Sequence, residues 1–185
     1  MVQKIRAEFL TENGKFIVDP VMGDGGKLYS GFTPEFVAKM RELCRSADYI
    51  LPNVTEASYL ADVPYPLTKD TASNCLEKLQ KLCPQAMITG VEDENQIIVY
   101  FTNEKGETQT YTHENIAGFF HGSGDVFAAA FVGALARGKS EREAIVLASD
   151  FVTAAIRRTA IEVPDRRYGL SFEAETHAFL QKLNA

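Results

Sequence analysis

The 185-residue sequence has no tryptophan and only three histidines and three cysteines. Cys44, Cys75 and Cys83 are odd in number and include no Cys-x-x-Cys pair, which excludes a disulfide framework and a zinc site of the usual spacing. No apolar run approaches the ~20 residues that a membrane-spanning helix needs, and residues 2–11 have the pattern of an amphipathic helix rather than a signal peptide. These absences favour a cytoplasmic protein in a reducing compartment.

The sequence also lacks an excess of positive charge. It has 19 Lys and Arg against 25 Asp and Glu, so its formal net charge is -6. Nucleic acids and anionic membranes attract positively charged surfaces, so neither is predicted as a partner. With 45% hydrophobic residues, a chain of this size buries roughly 70% of its unfolded surface. The composition therefore predicts one globular domain over residues 1–185.

Helical and extended patterns alternate along the chain. Extended segments are predicted at KFIVD, DYILPN and AMIT, followed by a hairpin of QIIVYFT and ETQTYTH joined by NEKGE. Helices are predicted over residues 2–11, from Pro34 with Thr33 as N-cap, from Val54 to about Ala61, and over 71–83, 124–137, 141–159 and 172–183. Short apolar strands separated by crossover helices indicate an α/β fold, with a parallel sheet covered on both faces and the hairpin at one edge.

Residues 118–140, GFFHGSGDVFAAAFVGALARGKS, contain two candidate phosphate-binding loops. The second candidate, residues 133–140, matches the Walker A pattern G-x-x-x-x-G-K-[ST] letter for letter. A Walker A loop leaves a buried strand and enters a helix, whereas Gly133 falls inside the helical pattern of residues 124–137. The spelling is therefore present without the context that the chemistry needs.

The rest of residues 133–140, which we call the Walker-like stretch, is explained by a connection between two helices. Gly138 is typical of a glycine that ends a helix, and Ser140 with Glu143 predicts a capping box for the next one. We therefore expect Lys139 to lie on an exposed connection rather than beside a phosphate.

The first candidate, residues 122–125 (GSGD), has the required context. It opens the helix of residues 124–137, so backbone N–H groups and the positive end of the helix dipole can converge on an anion. Its two glycines let the backbone approach a ligand closely. A dinucleotide-binding fingerprint is excluded, because Phe127 stands where the third glycine would be needed.

Asp125 is unexpected in an anion-binding loop, because its carboxylate repels a bound phosphate. In the first turn of any helix, an acid is ordinarily explained by its favourable interaction with the dipole. Beside a phosphate, a carboxylate can instead accept the proton of a hydroxyl that attacks a phosphoryl group. Position alone leaves both interpretations open.

Five stretches resemble, in order, those of pyridoxal/pyridoxamine kinases of the ribokinase-like superfamily. The stretch HGSGDVFAAAFVGAL contains GSGD, which resembles the superfamily signature G-[ST]-G-D. The other four stretches resemble the pyridoxal kinase branch; they are VDPVMGDGGKLY, LPNVTEA, ITG and DRRYGLSFE. The matches run from about residue 15 to 175. The resemblance implies a ribokinase-like three-layer α/β/α fold with a mostly parallel sheet and an antiparallel edge hairpin.

The resemblance also implies site residues, ATP as the phosphoryl donor and Mg²⁺ as the metal. Asp125 would be the base that deprotonates the 5′-hydroxyl of a B6 vitamer. The remaining implied residues are Gly122, Ser123 and Gly124 in the anion hole, Asp19, Asp24 and Glu56 near the metal and the ATP phosphates, Asn53 and Thr89 at the nucleotide, and Ile116, Phe120 and Phe127 near the nucleotide pocket.

Spacing alone gives several of these residues an ordinary role as well. Asn53 with Glu56 spells an N-terminal capping box for the helix from Val54. Asp19 precedes a proline that can end a strand, and Asp24 precedes two glycines of a turn. Mg²⁺ nevertheless needs only one or two carboxylates beside phosphates and water, so separated acids on neighbouring loops suit it.

Compared with the family that it resembles, the sequence lacks the usual N-terminal half. We therefore expect a sheet strand with an exposed edge, and such edges pair with other chains. This predicts self-association, as a homodimer or a larger species.

The resemblance favours an ATP-dependent kinase of pyridoxal, pyridoxine or pyridoxamine. The alternative enzyme is a hydroxymethylpyrimidine kinase of the thiamine pathway, a relative whose loop typically carries cysteine at the position of Asp125. That aspartate and the sequence RRYGLSFE favour the vitamin B6 branch. A third possibility, from another class, is a nucleotide-binding fragment without catalytic activity.

Overall fold

The computed structural model describes residues 2–162 and 169–185. Of the stretch DRRYGLSFE, residues 165–168 lie outside the described residues. The described residues contain no helix that is both long and apolar enough to cross a membrane.

Two compact units make up the chain, and strands of one hairpin contribute to both. The first unit comprises Met1–Asp93 and Ile98–Thr110, and the second comprises Glu94–Ile97 and Tyr111–Ala185.

Helices and strands alternate as the sequence pattern predicts. The helices are α1 (Val2–Phe9), α2 (Pro34–Cys44), α3 (Val54–Ala61), α4 (Lys69–Gln80), α5 (Ser123–Ala136), α6 (Glu141–Glu162) and α7 (Glu173–Asn184). The strands are β1 (Ile17–Val18), β2 (Gly23–Asp24), β3 (Lys27–Leu28), β4 (Tyr49–Ile50), β5 (Gln85–Asp93), β6 (Gln96–Thr102) and β7 (Thr108–Glu114).

The main sheet has five strands in the order β1-β4-β5-β6-β7. Strands β1 and β4 are parallel, as are β4 and β5. Only residues 94–95 separate β5 from β6 and only residues 103–107 separate β6 from β7, and connections this short join antiparallel neighbours. The predicted α/β fold with an edge hairpin is confirmed. The pairing of β5 with β6 in a second hairpin was not predicted.

The core of the first unit forms where strands and amphipathic helices meet. Ile50 and Ile88 on the strands and Leu76 and Leu79 on α4 are fully buried, each contributing about 1.5–3 kcal/mol relative to an exposed side chain. Helix α4 begins earlier than the predicted 71–83, because Thr68 and Thr71 form a capping box at its start, and it ends at Gln80 with Lys81 as C-cap.

All three cysteines are buried free thiols, as the sequence predicts. Burial raises the pKa of Cys44 and Cys75 to about 12 and that of Cys83 to about 11. Reactive thiolate chemistry therefore has no support at these positions. Cys83 lies beyond the end of α4 rather than inside a helix.

The second unit packs α5 and α7 against α6. Within α5, Phe127 and Phe131 are buried with their rings parallel and 6.3 Å apart. The Tyr111 hydroxyl on β7 donates to the Asp150 carboxylate on α6 at 2.6 Å. The packing of α5 against α6 positions the helix whose first turn carries the GSGD loop.

A second, two-stranded sheet was missed by the sequence analysis, which predicted only a turn there. Strand β2 pairs antiparallel with β3, and Asp24 lies opposite Lys27. Gly25 and Gly26, between the strands, have φ values of 56° and 78°. Two consecutive positive φ values are typical of a type I′ hairpin turn, for which D-G-G is a recognisable signal.

Candidate functional site

The N-terminus of α3 carries the first group of predicted site residues. Asn53 is the N-cap, and its Oδ1 accepts a hydrogen bond from the Glu56 backbone N–H at 2.9 Å. The Glu56 Oε2 accepts in return from the Asn53 N–H at 2.9 Å. The capping box that spacing alone suggested is therefore present.

The same two side chains also hold the loop that follows β1. The Glu56 Oε1 accepts from the Met22 N–H at 3.0 Å, and the Asn53 Nδ2 donates to the Gly23 carbonyl at 2.9 Å. Glu56 is only 3% exposed, so both of its oxygens are committed to backbone N–H groups. An acid at the start of α3 thus fixes a neighbouring loop as well as its own helix.

Burial gives Glu56 an unusual protonation equilibrium. Burial raises the pKa of Glu56 to about 7, against hydrogen bonds from the Asn53 and Met22 N–H groups, which lower it. The negative charge of Asp19 raises it further. The Glu56 and Asp19 carboxylates therefore repel each other, and a cation between like charges would reduce such repulsion.

Asp19 and Asp24 differ in their exposure to solvent. Asp19 directly follows β1 and is half-buried. Asp24 is exposed at the end of β2, and its Oδ1 accepts from the Gly25 N–H at 2.7 Å. The turn role suggested for Asp24 is therefore real, and its second carboxylate oxygen has no hydrogen-bond partner among the described residues.

These residues fit a metal only in the manner of Mg²⁺. Over residues 2–162 and 169–185, no group of three or more His, Cys, Asp or Glu side chains is arranged to hold a metal ion by itself. Mg²⁺ bound with nucleotide takes one or two carboxylates and completes its coordination with phosphates and water. Asp19 and Asp24 are carboxylates of that kind, and both oxygens of Glu56 accept backbone hydrogen bonds. The metal assignments of all three stay predictions.

Asn53 and Thr89, the predicted nucleotide residues of the first unit, are brought together. They form an isolated parallel bridge, in which the Thr89 N–H donates to the Pro52 carbonyl at 3.1 Å. This bridge extends the pairing of β4 with β5 beyond Ile50, toward the carboxyl ends of both strands. Ligands of open α/β sheets gather at such ends.

The loop of residues 122–125 begins α5, as predicted. Gly122 is the N-cap with φ 81° and ψ 5°, and its carbonyl accepts the first helical hydrogen bond from Val126. The N–H groups of residues 123–125 precede that bond, so they have no partner within the helix. Gly122, Gly124 and Asp125 are exposed and Ser123 is half-buried. The geometry is that of an anion-binding helix N-terminus.

The Asp125 side chain lies exposed at the start of α5. It is the acid of the first turn of α5, and its carboxylate has no hydrogen bond or ion pair among the described residues. An added Cβ at Gly122 would lie 4.0 Å from the Asp125 Oδ2, so the carboxylate lies next to the backbone of the loop. A carboxylate in this position is free to accept a proton from a bound hydroxyl.

The Walker-like stretch ends one helix and begins the next. The Gly138 N–H donates to the Leu135 carbonyl at 2.9 Å and the Lys139 N–H to the Ala134 carbonyl at 3.1 Å, which is the Schellman arrangement at a helix C-terminus. The Ser140 Oγ and N–H both bond the Glu143 Oε2. The predicted helix context of this stretch is confirmed, except that Lys139 is half-buried rather than fully exposed. That it does not bind phosphate stays a prediction.

The three residues predicted near the nucleotide pocket have different environments. Ile116 and Phe120 are half-buried, between β7 and α5 in the sequence. Phe127 is 7% exposed and packs against Phe131, so its observed contacts are those of a core side chain. Their role at a nucleotide stays a prediction.

Sequence reasoning missed two residues that hold the β2–β3 turn. The Thr55 hydroxyl accepts from the Gly26 N–H at 2.9 Å. The Tyr65 ring lies so close to Gly26 that an added Cβ would be 2.6 Å from its Cδ1. The glycine pair signalled the turn, but no local pattern indicates which distant side chains bind it.

Comparison with known proteins places these features in a family. The family model described as phosphomethylpyrimidine kinase matches residues 1–168. The chain is 34% identical over 151 residues to the pyridoxine kinase of Bacillus subtilis, covering 77% of this chain and 54% of that protein. It is also 33% identical over 150 residues to the hydroxymethylpyrimidine/phosphomethylpyrimidine kinase of Bacillus subtilis, covering 78% of this chain and 54% of that protein. The chain thus spans about half the length of these relatives.

Solved structures give the same result for the fold. The pyridoxal kinase of Leishmania donovani in complex with ADP and pyridoxamine superposes with a TM-score of 0.78 and 27% identity, over 97% of this chain and 62% of that one. The predicted ribokinase-like fold is confirmed by this similarity. The chain therefore belongs to the phosphomethylpyrimidine kinase family and resembles its pyridoxal kinase members.

Proposed function

We propose that this protein is an ATP-dependent kinase of B6 vitamers, which transfers the γ-phosphoryl group of ATP to the 5′-hydroxyl of pyridoxal, pyridoxine or pyridoxamine. The observation that carries the proposal is the exposed Asp125 carboxylate, which has no partner among the described residues and lies beside the N–H groups of residues 123–125. An anion-binding loop that retains an uncommitted acid suits phosphoryl transfer better than simple phosphate binding.

In the proposed reaction, Asp125 accepts the proton of the vitamer hydroxyl. The hydroxyl oxygen forms a bond to the γ-phosphorus, and the bond from that phosphorus to the β–γ bridging oxygen breaks. ADP leaves with the electron pair of that bond. The backbone N–H groups of residues 122–125 stabilise the charge on the transferring phosphoryl group, as donors of an anion hole do.

Asp19 and Asp24 are the side chains proposed to hold Mg²⁺ with the ATP phosphates. When bound, Mg²⁺ supplies charge neutralisation and orientation of the phosphates. Glu56 is proposed to act beside them, and its contacts with Met22 and Asn53 keep the loop after β1 in place. Asn53 and Thr89 are proposed to contact the nucleotide, with Ile116, Phe120 and Phe127 near it.

The second candidate function is a hydroxymethylpyrimidine kinase. It is favoured by the family description and by the 33% identity to the Bacillus subtilis enzyme of that name, which nearly equals the identity to the pyridoxine kinase. The aspartate at position 125 favours the B6 assignment, because the sequence resemblance associates cysteine with the pyrimidine kinases. The two nearly equal sequence identities do not by themselves decide between the two substrates.

The proposal is tested by offering each acceptor in turn with γ-labelled ATP and Mg²⁺, and measuring label transferred to pyridoxal, pyridoxine, pyridoxamine and hydroxymethylpyrimidine. We expect transfer to at least one B6 vitamer. Transfer to hydroxymethylpyrimidine alone would show that the substrate assignment is wrong and that the kinase assignment is right. Mg·ATP binding by calorimetry without transfer to any acceptor would favour a nucleotide-binding module.

We further propose that copies of this chain associate through the outer edge of β1. Strand β1 is the end strand of the main sheet, and the side chains of Val2, Ile5 and Phe9 on α1 are exposed by 46%, 50% and 72%. Sedimentation velocity over a range of concentrations tests this, with Phe9→Glu as the disrupting variant. A wild-type chain that stays monomeric at every concentration would contradict it.

A further inference from the structure

Helix α3 holds the hairpin that carries Asp24 at three separate points. We refer to residues 22–28 as the Asp24 hairpin. Glu56 bonds the Met22 N–H at 3.0 Å, and Asn53 bonds the Gly23 carbonyl at 2.9 Å. The third bond is made by Thr55, whose Oγ1 accepts from the Gly26 N–H at 2.9 Å. Asn53, Thr55 and Glu56 therefore hold the hairpin at its start and at its turn.

The Thr55 bond fixes the turn that follows Asp24. Thr55 is only 2% exposed, so water cannot readily replace its hydroxyl as the partner of the Gly26 N–H. The Tyr59 hydroxyl, one turn further along α3, lies 3.4 Å from the Gly26 carbonyl. Both polar groups of the Gly26 residue are thus directed at the same helix.

The turn itself is built to hold one conformation. Gly25 and Gly26 have positive φ values, and the Asp24 Oδ1 accepts from the Gly25 N–H at 2.7 Å. The Tyr65 ring blocks movement of Gly26 on the side where a Cβ would lie. The Asp24 carboxylate is therefore oriented by the turn, and the turn is held by Thr55.

We infer that Thr55 is a positioning residue for nucleotide binding, whose hydroxyl sets the place of the Asp24 carboxylate relative to Asn53 and Glu56. The inference rests on the proposed function, in which Asp24 acts on Mg·ATP. Thr55 itself is buried and contacts the hairpin backbone, so it acts through Asp24. Loss of one neutral hydrogen bond is expected to weaken Mg·ATP binding roughly 3- to 10-fold.

The experiment compares Thr55→Val with two matched variants. Thr55→Val keeps the shape of the side chain and removes the acceptor, and Thr55→Ser restores a hydroxyl. Ser58→Ala removes another buried hydroxyl from the same helix, one that bonds the Val54 carbonyl at 2.9 Å and not the hairpin. Two quantities are measured on each protein: amide hydrogen exchange at Gly26 by NMR, and Mg·ATP affinity by calorimetry.

We expect Thr55→Val to accelerate exchange at Gly26 and to weaken Mg·ATP binding, while Thr55→Ser and Ser58→Ala stay near wild type in both. Equal behaviour of Thr55→Val and Ser58→Ala would overturn the inference. Faster exchange with unchanged affinity would also overturn it, because Thr55 would then hold the turn without serving the nucleotide. A wild-type chain that binds no Mg·ATP would overturn the proposed function first, and this inference with it.

Discussion

Helices α3 and α5 each carry an acid at the third residue of their first turn, but the two acids have opposite surroundings. Glu56 of α3 is 3% exposed, and its two oxygens accept backbone N–H groups of Asn53 and Met22. Asp125 of α5 is exposed, and Gly122 before it has no side chain with which to form a capping box. The same local position thus gives one acid that stabilises the fold and one that remains available.

The difference lies in the N-cap residue and in the neighbouring backbone. Asn53 supplies both a cap and a contact to Gly23, so the end of α3 is closed by protein groups. Gly122 supplies neither, so the N–H groups at the end of α5 stay open to a ligand. An open helix end with a free acid is what phosphoryl transfer requires, and a closed one is what a scaffold requires.

Removal of the free acid is expected to have the largest effect. Asp125→Asn keeps the shape and removes the basicity, so vitamer phosphorylation should slow by ~10²–10⁴-fold. Affinity for ATP should stay the same or rise, because a negative charge beside the phosphates is lost. Steady-state kinetics and calorimetry on one preparation check both. Near-normal turnover would reduce Asp125 to a helix-dipole role.

Titration of the committed acid is expected to change stability. The pKa of Glu56 is about 7 in the folded state against 4.5 for the free side chain, so the folded protein binds more protons between those pH values. The free energy of unfolding should therefore fall as pH rises from 4.5 to 7 and level off above, by about 3 kcal/mol at most from this group.

Other groups titrate in the same range, so the Glu56 contribution needs a difference measurement. Burial lowers the pKa of His113, which makes stability fall as pH drops below 6.5 and opposes the effect of Glu56. Urea unfolding of wild type and Glu56→Gln at each pH isolates the Glu56 contribution, because Gln does not titrate. If the free energy of unfolding changed with pH in the same way for both proteins, Glu56 would not have the raised pKa.

Exchange of carboxylate for amide separates the metal role from the capping role. Asp24→Asn should weaken Mg²⁺-dependent nucleotide binding by about tenfold with little change in melting temperature, because Asp24 is exposed. Glu56→Gln should also lower stability by about 1–3 kcal/mol, since its amide would face a backbone N–H. If Glu56→Gln lowers stability and leaves Mg·ATP binding unchanged, Glu56 is a structural residue alone.

The smallest effect is expected at the Walker-like stretch. Lys139 lies on the connection between α5 and α6, so Lys139→Ala should change Mg·ATP affinity less than about twofold. Calorimetry again provides the measurement. A large loss of affinity would reverse the assignment of the two loops.

The sequence predicted the elements whose pattern is local. Thr33, Ser140 and Glu143 marked helix starts, and the apolar period of 3.6 in α2 and α5 marked the buried faces. The loop of residues 122–125 could be separated from the Walker-like stretch because each choice depends on the adjacent helix pattern. For the same reason, the capping box of Asn53 and Glu56 was foreseen.

Features that depend on distant residues were not predicted. The β2–β3 pairing spans only two residues on each strand, too few for a period of two to show. The Thr55 contact with Gly26 joins residues 29 apart, and the high pKa of Glu56 arises from burial that only the folded chain creates. Sequence resemblance identified the candidate acids. Only the folded structure shows which of them accepts backbone hydrogen bonds and which is exposed.

The most direct test of the account places a carboxylate in each of the two rival loops. An added Cβ meets nothing within 4 Å at either Gly124 or Gly133, so Gly124→Asp and Gly133→Asp should both fold, which circular dichroism checks. Calorimetric titration with Mg·ATP then compares the two variants with wild type. The account predicts that Gly124→Asp abolishes binding, because a second negative charge enters the phosphate loop, while Gly133→Asp binds as wild type does. Loss of binding in Gly133→Asp with normal binding in Gly124→Asp would contradict it.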